Sequence, residues 1–482
     1  MKAALLTLAF AVGSASCAST SPKDGFRDLA NQVEKQSGHR VQWNQGGDDD
    51  KKVADALTKL LANEMTVDQA VQVALLNNPT LQATYEELSI AQADVVQAGL
   101  LKNPVFSASI TTAERDQLDP NLIFGVTQDF LDLLMLPARK KVAKGQFEQV
   151  RLRLVDDVLE LASRTRAAYF MLQGAMQVVA MREVIAQAAD AAIELTTRQH
   201  EAGNINDLDL ANEAASFEQI KLDLARSQTD AIGAREDLAK LLGLWADAAG
   251  NFRIAAKLPE LPKEEVVLDR LEGSAIARRA DLAAAMQQAR TLAYAASLAR
   301  SARWTGAISI GADVARLRNG HVVVGPNASI ELPIFDQRQA VLARIDAMER
   351  AAQLTVRAIA IDVRSDVRRA RMRVVASRRL VEQYKNVIVP ARQNLVRLSQ
   401  TQYDSMLLGV YQLLLARQNE INAYREYIEG LRDYWIARSD LERAVGGRLI
   451  ETPSVGPATP AAATTPSPPT KPDATNPHLN HH

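Results

Sequence analysis

The sequence predicts a mainly α-helical chain made of two tandem copies of one unit, each a β-hairpin followed by a pair of long antiparallel helices. Three observations predict it. Four short runs alternate apolar and polar residues with a period of two. Long proline-poor stretches carry apolar residues at helical spacing, and the whole order of signals recurs after about 200 residues. Four short strands cannot close a barrel, for which about eight is the smallest size, and an open sheet with an apolar face and free edges aggregates. The fold is therefore expected to be completed between copies of the chain. It would form a membrane β-barrel portion carried on long helices, with twelve strands in a trimer against eight in a dimer, and the trimer is favoured if the lumen passes solutes.

Composition fits long helices. The 482 residues include 56 basic and 57 acidic side chains, a balance that speaks against a nucleic-acid partner. Aromatic residues are scarce, and no run of 18 apolar residues follows the N-terminus. Residues 1–16 read as a signal peptide: Lys2, an apolar run from Ala3 to Val12, then Gly13, Ser14, Ala15 and Ser16. Cys17, directly after these small residues, is the single cysteine, so no internal disulfide is possible. Its setting resembles a bacterial lipoprotein site, which implies lipidation of Cys17. Residues 17–64 read as a polar N-terminal extension with a loop at Gly46-Gly47-Asp48-Asp49-Asp50. Residues 448–482 form a tail, Pro, Ala and Thr-rich from Thr452, that is expected to be disordered. Its His478, His481 and His482 are read as part of a polar tail and not as a metal site.

The first copy spans residues 65–243. Thr66-Val67-Asp68-Gln69 has capping-box form, and Asn78-Pro79 ends or kinks the helix it starts. A second helix, Thr80 to Leu101, precedes strands expected at about 105–112 and 122–130. Phe106, Ala108 and Ile110 face one way in the first, with Leu122, Phe124, Val126 and Phe130 as the apolar set of the second. Ser107, Ser109 and Thr111, with Gly125, Thr127 and Asp129, form the opposite face. Leu136-Pro137 is read as preceding a long helix from about Ala138 to Glu201; Ala202-Gly203-Asn204 breaks it, and a return helix runs from about Asp207 to Leu242.

An irregular linker, residues 244–273, leads to the second copy at 274–447. There Arg279-Ala280-Asp281-Leu282 answers Asn78-Pro79-Thr80-Leu81, and strands are expected at about 306–315 and 322–332. The stretch NASIELPIFDQRQA, Asn327 to Ala340, turns from strand to helix pattern within a few residues. Pro333 breaks the ladder for want of an amide proton, Phe335 follows, and Asp336 is read as an N-cap. From Asp336 about 65 residues run on at helical spacing, on the order of 100 Å at ~1.5 Å per residue. A break near Leu407-Leu408-Gly409 and a return helix to Val445 complete the copy, and Gly243 and Gly446 close the two corresponding endings. The run Arg368-Arg369-Ala370-Arg371-Met372-Arg373 is read as salt-bridge lacing and not as an anion filter.

The doubled pattern resembles the outer-membrane efflux proteins, the TolC-like outer membrane factors. The likeness is carried by TVDQAVQVALLNNPTLQAT, SIELPIFDQRQA, the two Gly-containing breaks and the paired endings at Gly243 and Gly446. The resemblance implies a homotrimer with a twelve-stranded barrel in the bacterial outer membrane and a tunnel of twelve helices in the periplasm. It also implies a periplasmic adaptor (membrane fusion) protein, docked at the helix-hairpin tips, here Gly203, Asn204, Leu408 and Gly409, and an inner-membrane efflux pump that drives export. The protein would be a passive gated duct of a tripartite efflux (or type I secretion) system, with no catalytic residues and no cofactor. The N-terminal region, with GHRVQWNQ, is similar to members serving heavy-metal pumps. Family members close the periplasmic tip by hydrogen bonds between neighbouring coils, and the matching positions are Asp209 and Tyr403. Gln412 and Leu415 stand where many members place acidic rings, so the constriction is expected to lack them.

The competing class is an envelope structural or adaptor coiled-coil protein without channel activity, although one helical hairpin per chain is usual there. An enzyme is a distant third. His39, His200 and His321 lie far apart, with no metal-ligand spacing, no Ser/His/Asp arrangement and no glycine-rich phosphate loop.

Overall fold

A computed structural model describes residues 23–112, 120–245, 247–265, 270–304, 306–317 and 319–449. The signal peptide, Cys17, the turn between the first two strands and the tail from 450 onward lie outside them. The extension forms helices α1 (Lys23–Ser37) and α2 (Asp48–Leu61). Of the expected loop, only Gly46 and Gly47 stay outside helix, because Asp50 Oδ2 accepts the amides of Gln45, Gly46 and Gly47 and starts α2 at Asp48. The extension has no core of its own. Leu29, Val33, Val41 and Trp43 bury against Tyr85, Leu88, Leu154 and Val158 of the body, and Trp43 donates to Glu86 at 3.0 Å.

After the two-residue β1 (Glu64–Met65), the first copy runs α3 (Val67–Asn77), α4 (Pro79–Ala98), β2 (Val105–Thr111), β3 (Asn121–Asp129), α5 (Phe130–Glu201) and α6 (Asp207–Leu242). The linker is less irregular than its sequence suggests: a five-residue helix α7 (Asp247–Asn251) and β4 (Arg253–Ile254), which pairs in parallel with β1. The second copy runs α8 (Leu271–Arg278), α9 (Ala280–Ser301), β5 (Ile308–Arg316), β6 (Val322–Ile330), α10 (Gln339–Gln383), α11 (Val389–Asp404) and α12 (Val410–Val445). Helix α5, at 72 residues, is on the order of 110 Å long. The expected counterpart from Asp336 is not one unbroken α-helix. Tyr384–Ile388 forms a π-turn and Pro390 follows it, so α10 and α11 are joined through a stretch that lacks regular i→i−4 bonding.

Two further expectations are corrected. Pro137 does not precede the helix but lies inside α5, which begins directly after β3 because the Asp129 carboxylate caps it, accepting from the Asp132 amide at 3.3 Å. Asp336 is not the N-cap of α10. Its Oδ1 accepts from the Arg338 amide at 2.8 Å, a local turn, and Arg338 itself is the cap in a left-handed conformation, φ 59°.

The core sits at the waist of the rods, where α3, α5, α6, α10 and α12 meet the linker. Phe170 stacks on Trp435 with ring centroids 5.5 Å apart, and Val363, Val367, Leu238, Leu242, Tyr434 and Leu441 fill the space around them. The repeat is legible here in backbone angles. Asn78 and Arg279, which cap α4 and α9, have φ/ψ of −66°/116° and −64°/118°. Gly243 and Gly446, which end α6 and α12, are left-handed at φ 69° and 83°. In each copy the glycine lies against the chain before the cap: a Cβ on Gly243 would meet Asn77 O at 2.6 Å, and one on Gly446 would meet Arg278 O at 3.1 Å. The pairing is sealed by Asn77 and Asn78, whose amides donate to the Leu242, Gly243 and Leu241 carbonyls, and by Arg278, which donates to Arg448 O.

Gly243→Ala is therefore expected to destabilise the protein by about 2–3 kcal/mol, combining a left-handed alanine with a backbone clash, and Gly446→Ala by slightly less. Gly203 is left-handed too but has open space around its Cβ position, so Gly203→Ala is expected to cost only about 1 kcal/mol. Thermal unfolding of the three purified variants checks the order.

Candidate channel wall, waist and helix tips

The four long strands form one antiparallel sheet in the order β2-β3-β5-β6, so the two hairpins are joined through β3 and β5. Register aligns like with like. Ala108, Phe124, Val314 and Val324 are opposite one another across the sheet, as are Phe106, Val126, Ala312 and Pro326. Together with Ile110, Leu122, Ile308 and Ile330 they make one mainly apolar face, which also carries Gln128 and Arg316 and on which Phe106 is 67% and Val324 68% exposed. The other face carries Ser107, Gly125, Asp313 and Gly325 in one row and Asp129, Ser309 and Ser329 in another. Gly125 leaves room for Asp313, whose Oδ1 would lie 2.3 Å from a Cβ there. This face is not wholly polar, since Ile123, Ala315 and Val323 align behind Ser109. Among the described residues no helix is long and apolar enough to cross a membrane.

At the foot of the sheet the two strand-to-helix passages differ. On the first, Lys102 bridges Asp129 and Asp132, both at 3.2 Å, and Arg139 reaches Asp132. The second is irregular. After the last ladder bond, from Glu331 N–H to Ala307 O, Pro333 stands past the end of β6 and Phe335 is 91% exposed.

At the opposite ends of the rods lie the two helix tips. Gly203 is left-handed and Asn206 caps α6 by accepting from the Asp209 amide, while His200 and Asp207 clasp the turn at 2.7 Å. In the second tip Met406 is left-handed and Gly409 caps α12, its amide donating to the Gln412 side chain at 3.0 Å. Gln412 is thus engaged in capping its own helix, and Leu415, half exposed, follows on the same helix. Asp209 lies in the first turn of α6 and Tyr403 in the last turn of α11; among the described residues no hydrogen bond joins them within one chain.

The waist holds a buried charge network that the sequence did not announce. His39, 6% exposed, lies with Nε2 3.3 Å from Arg166 and 3.6 Å from Asp68. Arg166 pairs with Glu442 at 2.8 Å, and Arg448 pairs with Asp68 at 3.3 Å. These groups tie the extension, α3, α5 and the end of α12 together around a cavity of about 480 Å³ walled by Phe170 and Trp435. Burial first, then the Arg166 guanidinium, pulls His39 down to about 4, and burial raises the Glu442 carboxyl against the pull of Arg166 and Arg438. On the linker, Glu265 is held by Arg378, Arg438 and the Tyr434 hydroxyl, the last at 2.7 Å. Burial and that hydrogen bond push Tyr434 up to about 12. The arginine run on α10 is laced as expected: Arg368 to Glu272, Arg369 to Asp366 and Arg373 to Asp440. No cluster of three or more potential metal-ligating side chains occurs among the described residues.

A doubled hairpin-and-rod chain with a two-faced sheet is the fold of TolC-like outer-membrane channel subunits. Residues 70–244 match the family model described as Outer membrane efflux protein. Among characterised proteins it is similar to the cobalt-zinc-cadmium resistance protein CzcC of Cupriavidus metallidurans, with 22% identity over 404 residues, covering 80% of this chain and 91% of CzcC. Its fold is similar to the Campylobacter jejuni CmeC outer membrane channel, with TM-score 0.69 and 17% identity over 79% of this chain and 85% of that one. The open-state Neisseria gonorrhoeae MtrE outer membrane channel gives TM-score 0.64 and 19% identity over 79% and 89%.

The His39 network carries a pH signature. An unfolded imidazole takes up its proton near pH 6.5, whereas the folded site resists until about 4. The unfolded chain binds the extra proton in that window, so this contribution is complete above pH 6.5 and is lost as pH falls towards 4. His39→Gln, which cannot titrate, is expected to lose about 2 kcal/mol less stability than wild type between pH 7.5 and pH 5, read from melting at both pH values.

Proposed function

We propose that this protein is the outer-membrane duct of a tripartite efflux system, working as a homotrimer with a periplasmic adaptor and an inner-membrane pump. The observation that carries the reading is the four-stranded sheet whose edges, β2 and β6, are open and whose faces differ. A bilayer tolerates no unpaired backbone groups, so a sheet in lipid must close. Three copies joined β6 to β2 give a closed barrel of twelve strands, with Phe106, Phe124, Val324 and Ile330 towards lipid and Ser107, Asp313 and Asn327 towards water. Strands β3, β5 and β6, at nine residues each, reach the lower end of the length a tilted membrane strand needs, about nine to eleven, and β2 is shorter at seven. The long charged helices then stand in the periplasm as the tunnel, and Cys17, if acylated, adds an anchor at the extension.

The tips bearing Gly203, Asn204, Leu408 and Gly409 are the adaptor-docking ends in this reading. Asp209 and Tyr403 act as a latch between neighbouring coils, a phenol donating to a carboxylate. Support for a metal cargo comes from the likeness to CzcC, a cobalt-zinc-cadmium resistance protein. With Gln412 occupied as a cap and Leu415 apolar, the constriction would pass a divalent cation without coordinating it, and selection of cargo falls to the pump.

Purification from outer membranes and single-channel recording test the proposal. The expected result is a trimer of low conductance that rises several-fold in Asp209→Ala or Tyr403→Phe. A monomeric soluble product that never conducts sinks the duct; unchanged conductance in both variants sinks the latch alone.

A further inference from the structure

At the foot of the sheet, where β2 and β3 hand over to the helices, a cavity of about 720 Å³ opens between the ends of α4, α5, α9 and α10. Its size is within the range of small-molecule sites, about 300–1,000 Å³. Leu101, Leu131, Met135, Leu298 and Ile345 make its walls apolar. Its polar groups are unevenly matched. Lys102 and Arg139 share Asp132, and Lys102 also reaches Asp129. Arg139 Nε is buried without a hydrogen-bond partner, as is Asp132 Oδ2, which lies 3.2 Å from Lys102 Nζ, and among the described residues Arg338 forms no ion pair. The one further carboxylate in the lining is Asp94, on α4. The charges balance in number, Lys102, Arg139 and Arg338 against Asp94, Asp129 and Asp132, but the Arg338 guanidinium is left without an ion pair, and an unused guanidinium beside apolar walls favours a ligand with an anionic head and an apolar body.

Arg338 adds a second, independent sign. It is one of three non-glycine residues at positive φ among the described residues, held there at 59° by the Asp336 turn, and strain of this kind persists where the surroundings over-determine it. The orientation of the cavity follows from the strand register. Asp129 is opposite Ser309, and the Ser309 and Ser329 hydroxyls are 2.7 Å apart, all on the polar face. Lys102 links Asp129, on the polar face, to the cavity lining, so the polar face adjoins the cavity.

We propose that this cavity binds a single-chain anionic amphiphile, a carboxylate or phosphate on an alkyl chain, reaching it from the water-filled side. Arg338 and Arg139 hold the head group, and the leucines with Met135 hold the chain. That the water-filled side is the lumen rests on the duct reading above; binding itself does not.

The test uses the purified full-length protein in a neutral maltoside detergent and needs no flux. Decanoate and decyl phosphate, titrated calorimetrically, are expected to bind at least tenfold more tightly than decyltrimethylammonium. Asparagine tolerates the left-handed region, so Arg338→Asn keeps the backbone and is expected to erase most of that preference. Ala299→Trp, which fills the cavity, is expected to abolish binding of all three probes. Equal affinity for the anionic and cationic probes overturns the proposal, as does an unchanged preference in Arg338→Asn. A co-purified diacyl phospholipid that decanoate does not displace overturns it too, by assigning the site to bilayer lipid. Failure of conductance with intact decanoate binding would sink the duct and leave the site standing.

Discussion

The pairing of β3 with β5 is the constraint on which the rest of the sheet depends. It is the one ladder in the four-stranded sheet that joins the two copies, and it runs from Leu122↔Arg316 to Asp129↔Ser309. A slip of one residue would send Phe124 and Val126 to the face of Asp313 and Gly311 and scramble both surfaces at once. The register is held from both sides. Gly125 admits the Asp313 side chain and Gly311 admits the Asn327 amide, so larger residues at either position would collide with the neighbouring strand. With this register the sheet has one mainly apolar and one mainly polar face, and the proposed function needs both.

Long rods do not hold themselves. Helix α5 has no net apolar stripe over its length, and its stability comes from what packs against it at the waist. There the two copies solve one steric problem in the same way: a left-handed glycine ends the return helix and lets the start of the next helix pass against its backbone. The solutions diverge chemically. The first copy seals the contact with the neutral amides of Asn77 and Asn78, the second with the guanidinium of Arg278. Around Arg278 the backbone is drawn together as well: Gln36 donates to the Arg278 carbonyl and the Arg448 amide donates to the Gln36 carbonyl, which brings the extension and the segment after α12 to the same spot. The extension is thus part of the waist.

Most of the architecture was legible because it is written in local periodicity. The limits of α6 at Asp207 and Leu242, the end of α5 at Glu201 and the end of α12 at Val445 follow from glycine breaks and caps that act within a turn or two. The errors came where one residue had two possible uses. Pro137 looked like a boundary, but the stronger signal was Asp129, whose carboxylate caps the helix eight positions earlier. Asp336 looked like a cap, yet its carboxylate closed a turn onto Arg338 instead. His39 was passed over because its partners, Asp68, Arg166 and Glu442, come from distant segments, and periodicity carries no trace of such a meeting. The cavity at the foot of the sheet was hidden for the same reason, being assembled from four helix ends.

The two copies also differ in stiffness, and the cause is local. In the first, α5 continues from the sheet to the tip with a full helical ladder apart from the bond Pro137 cannot make near its start. In the second, the path from β6 to the tip is interrupted twice, by the irregular passage from Glu331 to Arg338 and by the π-turn at Tyr384–Ile388 with Pro390 after it. The π-turn is braced from outside the helix, by the Tyr384 hydroxyl on Glu426 of α12 and by Lys385 on Glu260 of the linker. Below it α11 packs on α12. A bend at the π-turn breaks few helical hydrogen bonds, whereas a bend in mid-α5 breaks a regular ladder. Any movement of the tips relative to the sheet is therefore cheapest in the second copy, beneath the waist, where the Glu260 and Glu265 contacts of the linker set how much of α10 stays fixed.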